Sequence, residues 1–117
     1  MSFWDRLDAA RAECNVLDHP FYTRWSRGEL TREELAAYSG QYRHAVTALA
    51  AASASAAGQA EGELRVELED HAVQEVAHVE LWDAFVGAVG GDAGAAPSAE
   101  TTICAEAWAG AGRSLPE

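Results

Sequence analysis

Apolar residues recur along most of the chain at steps of three and four, the spacing of helices that each bury one stripe. Phe3, Leu7, Ala10, Cys14 and Leu17 make the first stripe, with Ser2 placed to cap it, so a helix is expected to about Leu17. Asp18, His19 and Pro20 stop that helix and start another, because Pro is comfortable in a first helical turn; Gly28 closes this short second helix. Thr31 followed by Glu34 has the form of a capping box. It opens a long helix to about Ala57, with Leu35, Tyr38, Tyr42, Ala45, Leu49 and Ala52 facing inward, until Gly58 and Gly62 interrupt it. A second long helix is expected from near Glu63 to Val89, ending at Gly90 and Gly91. After a loop over residues 92–97, Ser98 can cap a short helix through Trp108, which Gly110, Ala111 and Gly112 end. Residues 113–117 leave no room for further structure. The pattern predicts an all-α fold, an antiparallel bundle of about five helices, in one domain spanning residues 1–117.

Composition strengthens the helical reading. Of 117 residues 26 are Ala and three are Pro, and β-branched residues are sparse. Eight Arg and no Lys stand against 19 acidic residues, a net charge of -11. That is the wrong sign for nucleic acid or an anionic membrane surface. The most apolar stretch, over residues 48–57, is Ala-rich and broken by Ser, short of the roughly 18 strongly apolar residues a membrane span needs. No basic region followed by an apolar run opens the sequence, so a cytoplasmic location is expected. Cys14 and Cys104 have no nearby partner cysteine, which predicts reduced, buried thiols.

The second long helix carries the chemistry. Its inward stripe reads Leu64, Leu68, His71, Glu75, His78, Trp82, Phe85, Val89, so three polar residues interrupt an apolar face. A core-facing carboxylate flanked by imidazoles is costly to bury unless each group is paired or bound to a cation. Glu75 and His78 have the i, i+3 spacing that sets a carboxylate beside an imidazole, and His71, one turn before Glu75, is the candidate third contact. The bland alternative is a set of ordinary surface pairs. Trp82 and Phe85 weigh against it, since they follow on the same face and would not line water. On the preceding helix Tyr38, Gln41, Tyr42 and His44 are candidates to face the same cavity, with Tyr38, Tyr42 and Trp82 as substrate-pocket residues. His19 reads as a helix-start residue, and Glu63, Glu67, Glu69 and Asp70 as a solvated face. There is no glycine-rich phosphate loop and no Ser/His/Asp set.

Two stretches, His19-Pro-Phe through Gly28-Glu-Leu-Thr-Arg-Glu-Glu-Leu to Tyr42, and His71-Ala-Val-Gln-Glu-Val-Ala-His-Val-Glu-Leu-Trp, resemble the heme-oxygenase-like superfamily. The first pattern is shared by thiaminase-II-like and pyrroloquinoline-quinone-synthase-like proteins; the second is closest to heme-oxygenase-like di-iron oxidases. The resemblance implies a helical bundle in which non-haem iron, with manganese as the alternative metal, activates dioxygen to oxidise a small organic substrate. Glu75 and His78 match ligands of the family's first half. His71 stands where some relatives carry an acidic ligand. The resemblance covers about half of a typical family member and lacks the later helices that complete the metal site. The chain therefore reads as the N-terminal half of a heme-oxygenase-like fold.

Three readings follow. The first is an oxygen-activating iron oxidoreductase half that works as a homo-oligomer or with a second chain supplying the missing ligands. The second is a metal-free relative like the quinone synthase or thiaminase, in which Tyr and His do acid–base work. The third is a non-catalytic helical oligomerisation or binding module. A ferritin-like store built from symmetric copies is the weakest.

Overall fold

The computed structural model describes residues 1–111 and divides the chain into two compact units, Met1–Thr31 and Arg32–Glu117. Among the described residues the elements are α1 (Phe3–Glu13), a 3-10 turn (Val16–Asp18), α2 (Pro20–Ser26), α3 (Arg32–Gln59), α4 (Gly62–Val89) and α5 (Ala99–Ala111), with no strand. The all-α, five-helix expectation holds. Gly112 and residues 113–117 lie outside the described residues.

In the first unit Ser2 caps α1 as expected, and Asp5 reaches back to the Ser2 backbone N–H to complete a capping box. The helix stops at Glu13, four residues before Leu17. The cause is Asn15, whose side chain accepts from the Leu17 N–H and donates to the Asp18 carboxylate, turning the chain into the 3-10 segment. Cys14 and Leu17 thereby leave the stripe. His19 caps α2, its Nδ1 accepting from the Phe21 N–H 3.1 Å away, with Pro20 in the first turn. No residue of this unit is buried, and Phe3, Trp4 and Leu17 are about two-thirds exposed.

In the second unit α3 and α4 form an antiparallel hairpin, and α5 packs on α3 but not on α4. Gly58 does not interrupt α3, which runs on to Gln59. Small side chains dominate the buried face of α3: Ser39, Gly40, Ala45, Ala48, Ala52 and Ser53. Of the expected inward stripe, Ala45 and Ala52 are buried, Leu35, Tyr38 and Tyr42 are half-buried, and Leu49 is exposed. A buried Ala methyl contributes on the order of 0.8 kcal/mol, so an alanine seam sets close approach more than it sets strength.

The larger groups that hold the hairpin lie near the C-terminal end of α4. Val86 is 2% exposed; Trp82 donates from Nε1 to the Ser39 carbonyl at 2.8 Å; Arg43 pairs with Asp83 through two hydrogen bonds of 2.6 and 3.2 Å. By contrast Leu64 is 52% exposed and Leu68 half-buried, correcting the expected single core from Leu64 to Phe85. Gly90 ends α4 in the left-handed conformation, φ 73°. The loop that follows lies directly on α3: a Cβ on Gly40 would stand 2.7 Å from the Asp92 carbonyl oxygen, and one on Gly91 would stand 2.9 Å from that of Ala36. Ser98 then caps α5, its Oγ accepting from the Thr101 N–H.

Both cysteines are free thiols, but both are exposed, which corrects the expected burial. Cys14 ends a helix that buries nothing, and Cys104 lies at a pocket mouth on α5 rather than beneath it. No described helix is long and apolar enough to cross a membrane.

Candidate metal centre and adjoining pockets

Glu75 is the one charged residue buried in the described structure, 7% exposed, at the middle of α4. Helix geometry sets His71 one turn before it and His78 one turn after, on the same face. The two imidazoles divide the carboxylate between them: His71 Nε2 lies 3.4 Å from Oε1, and His78 Nδ1 lies 3.1 Å from Oε2. Both imidazole side chains are about half exposed, 52% and 53%, so the carboxylate is sunk while its partners reach toward the surface. Each oxygen of the buried acid thus has a polar partner, the condition under which burial is tolerated. Chemically this is one carboxylate and two imidazoles within contact of one another, the donor types that suit Fe(II). They meet on Glu75 rather than around a common point, and among the described residues no group of three or more His, Cys, Asp or Glu is arranged to hold a metal ion.

One flank of this trio is aromatic. Trp82 packs against Tyr42 (ring centroids 4.9 Å apart), Tyr38 (5.9 Å, edge-on) and Phe85 (4.8 Å), and the two tyrosines stack at 5.3 Å. Trp82 therefore faces Tyr38 and Tyr42, as the shared stripe implied. Its indole N–H is committed to the Ser39 carbonyl, which makes it a clamp between α3 and α4. Tyr38 and Tyr42 also line a pocket of about 180 Å³ with Gln41, Ala45, Thr101 and Cys104. Trp82 is not part of that lining.

The other flank is open. Leu49, Ala52, Ser53 and Ala56 of α3 floor a groove of about 430 Å³; Leu68 and His71 of α4 form one wall, and Trp108 of α5 the other. His71 is thus both a neighbour of Glu75 and a wall of the larger space.

Gln41 and His44 bond to the loop before α5. The Gln41 amide donates to the Ala96 carbonyl at 2.9 Å and accepts from the Ser98 N–H at 2.9 Å, and His44 Nε2 meets the Ala95 carbonyl at 2.8 Å. Gln41 reaches the smaller pocket, whose lining includes none of His71, Glu75 and His78, and His44 is spent on the loop. The acidic residues Glu63, Glu67, Glu69 and Asp70 are all exposed, as the charge pattern indicated. Three features carried no clear signal in the sequence: the Arg43–Asp83 pair, the Ser39 carbonyl beneath Trp82, and Trp108 as a groove wall. The first two arise only when α3 and α4 take their register, and the third when α5 lies along α3.

Residues 4–97 match the TENA/THI-4/PQQC family. Two chlamydial proteins named 4-aminobenzoate synthase are similar over 95 residues, 77% of the chain: that of Chlamydia muridarum at 37% identity and that of Chlamydia trachomatis at 35%. A protein of the same name from Nitrosomonas europaea is 40% identical over 47 residues, 40% of the chain and 19% of its own length. The matched part spans 40% and 41% of the two chlamydial proteins' own length. No solved structure matches significantly.

Proposed function

The chain belongs to the TENA/THI-4/PQQC family, and from that premise we propose that it is part of an oxygen-activating, non-haem iron oxidoreductase acting on a small organic substrate. Glu75 and His78 hold the metal, and His71 is the third donor. The observation that carries this reading is the burial of Glu75 with an imidazole on each carboxylate oxygen. Bound iron would supply one-electron chemistry with dioxygen. The donor set is partial, so residues from a second copy, or from a second polypeptide, complete it; two copies about a two-fold axis would bring together two such sets. Manganese is the alternative metal for the same donors.

The rest of the site does what a protein must do around such a centre. Trp82, Tyr38, Tyr42 and Phe85 keep water from one flank and fix α4 against α3, which holds Glu75 at its depth. The Arg43–Asp83 pair fixes the same register at the adjoining positions. Exposed apolar side chains on α4 offer a face for association. Trp82 is half-buried against Tyr38 and Tyr42 of α3, and Phe85 packs on Trp82, whereas Val66, Val73, Val76 and Leu81 are 58–70% exposed. Patches of that kind are seldom left bare.

The test is metal analysis of protein purified without a chelating tag, with light scattering on the same sample at micromolar concentration. Iron at a roughly fixed ratio to chain in an associated species supports the proposal. A monomer that binds neither iron nor manganese contradicts it and favours a metal-free relative.

A further inference from the structure

We propose that two copies of this chain pair back to back through the flank of α4 that carries Ala72, Val73 and Val76, antiparallel about a two-fold axis, with both His71–Glu75–His78 trios facing away from the contact. The pairing itself is independent of the metal reading; resting on that reading, it leaves the missing donors to a second polypeptide rather than to the paired copy.

Position along the helix separates the two surfaces. Successive helical residues turn by about 100°, so Ala72 and Val76 fall to one side of Glu75, and His71 and His78 fall to the other. The cavities agree. Leu68 and His71 wall the larger groove opposite Trp108, whereas Ala72, Val73 and Val76 line a separate hollow of about 260 Å³ with Ala54 of α3. Val73 is 70% exposed and Val76 58%, and α4 packs on α3 but not on α5. A hollow lined by exposed valines is a surface for a partner's apolar side chains.

Charge identifies the occupant. With a net charge of -11, two copies repel wherever their carboxylates meet without cations. On this flank the carboxylates are matched. Arg65, the one arginine of α4, bonds Glu69 at 2.7 Å, and Arg43 of α3 bonds Asp83 at 2.6 Å. Arg65, Glu69, Ala72, Val76 and Asp83 follow one another at steps of four, three, four and seven, so a single stripe runs from one ion pair across the hollow to the other. An antiparallel pairing centred between Ala72 and Val76 lays Val76 of each copy on Ala72 of the other, and Arg65 of each beside Asp83 of the other. Each end then joins two positive charges and two negative ones. A parallel pairing would set Arg65 on Arg65 and Asp83 on Asp83. The flank that carries Leu81 also carries Glu63, Glu67 and Asp70, with no arginine of α4 to offset them. Because both copies present the same patch, the contact closes as a dimer.

The test is sedimentation of the full chain across micromolar concentrations, with iron content and helical circular dichroism measured on the same samples. Wild type is expected to be a dimer. Val76→Glu and Ala54→Glu, both at exposed positions, put carboxylates into the apolar centre and should each weaken the dimer at least tenfold. Arg65→Glu leaves the hollow intact, removes the positive charge at each end, and should weaken the dimer at least threefold. Leu81→Glu, the same kind of change on the other flank, should leave it as it is. Ala54→Glu, on the helix without donors, should bind iron as wild type does while monomeric. A monomeric wild type would overturn the proposal, as would a dimer that Leu81→Glu dissociates and Val76→Glu does not, a dimer indifferent to Arg65→Glu, or iron lost from Ala54→Glu in step with the dimer, which would put the donors across the contact. The two readings fail separately. A dimer that Val76→Glu dissociates but that holds no metal refutes the iron reading and keeps the contact, whereas a wild-type monomer that binds iron does the reverse.

Discussion

The two halves of α4 meet the same partner helix on different terms. From Trp82 to Val86 the helix is locked onto α3 by an indole hydrogen bond, a bidentate ion pair, a ring cluster and a buried valine. From Gly62 to Leu68 it rests on alanines and leaves Leu64 and Val66 more than half exposed. Glu75 lies between them. A buried acid is thus held from one side and open from the other: the locked half sets its depth, and the groove walled by His71 lies on the open side.

Breaking the locked half should have the largest effect. Trp82→Ala removes ring contacts with Tyr38, Tyr42 and Phe85 and the indole hydrogen bond to the Ser39 carbonyl, so it should cost about 3 kcal/mol in urea unfolding. A cost below about 1 kcal/mol would mean that the lock lies elsewhere. Gly40→Ala comes next. Its methyl would stand 2.7 Å from the Asp92 carbonyl oxygen and 3.2 Å from the Ala95 methyl, forcing the loop off α3 at about 2 kcal/mol, measured the same way.

The ion pair adds a smaller effect with a pH signature. Arg43 hydrogen-bonds the Asp83 carboxylate and holds its pKa below the usual range. A carboxyl whose folded pKa is lowered stabilises the fold above its unfolded value, near about 4, and loses that contribution as pH falls through the folded value. The difference in unfolding midpoint between wild type and Arg43→Met should therefore be constant from about pH 7 to 5 and shrink below about pH 4. A difference that persists at about pH 2 would show that Arg43 acts through packing alone. In the open half, Leu64→Ala should stay within about 0.5 kcal/mol of wild type.

Much of this was legible in the sequence because helices announce themselves locally. Ser2, His19 with Pro20, Ser98 and Gly90 fixed helix ends through bonds to residues two to four positions away, or through the backbone freedom of glycine. The inward Glu75 followed from its place in an apolar stripe. What periodicity could not supply was how deeply each end of a stripe is covered. Leu64 and Trp82 occupy equivalent positions on one face, yet only Trp82 meets aromatic residues of α3. The cysteines misled for the same reason, since an apolar position predicts burial only where another element arrives to cover it. Arg43 with Asp83 looked like two surface charges because the register joining them spans 40 residues.

The account turns on Glu75 and His78 as metal ligands. The most direct measurement is iron bound per chain, by anaerobic Fe(II) titration of wild type, Glu75→Ala and His78→Ala, with His44→Ala as a control whose imidazole is committed to the Ala95 carbonyl. The account predicts that both ligand variants keep their helical circular dichroism and bind iron at least tenfold more weakly, while His44→Ala binds as wild type does. Full iron binding by both ligand variants would contradict it.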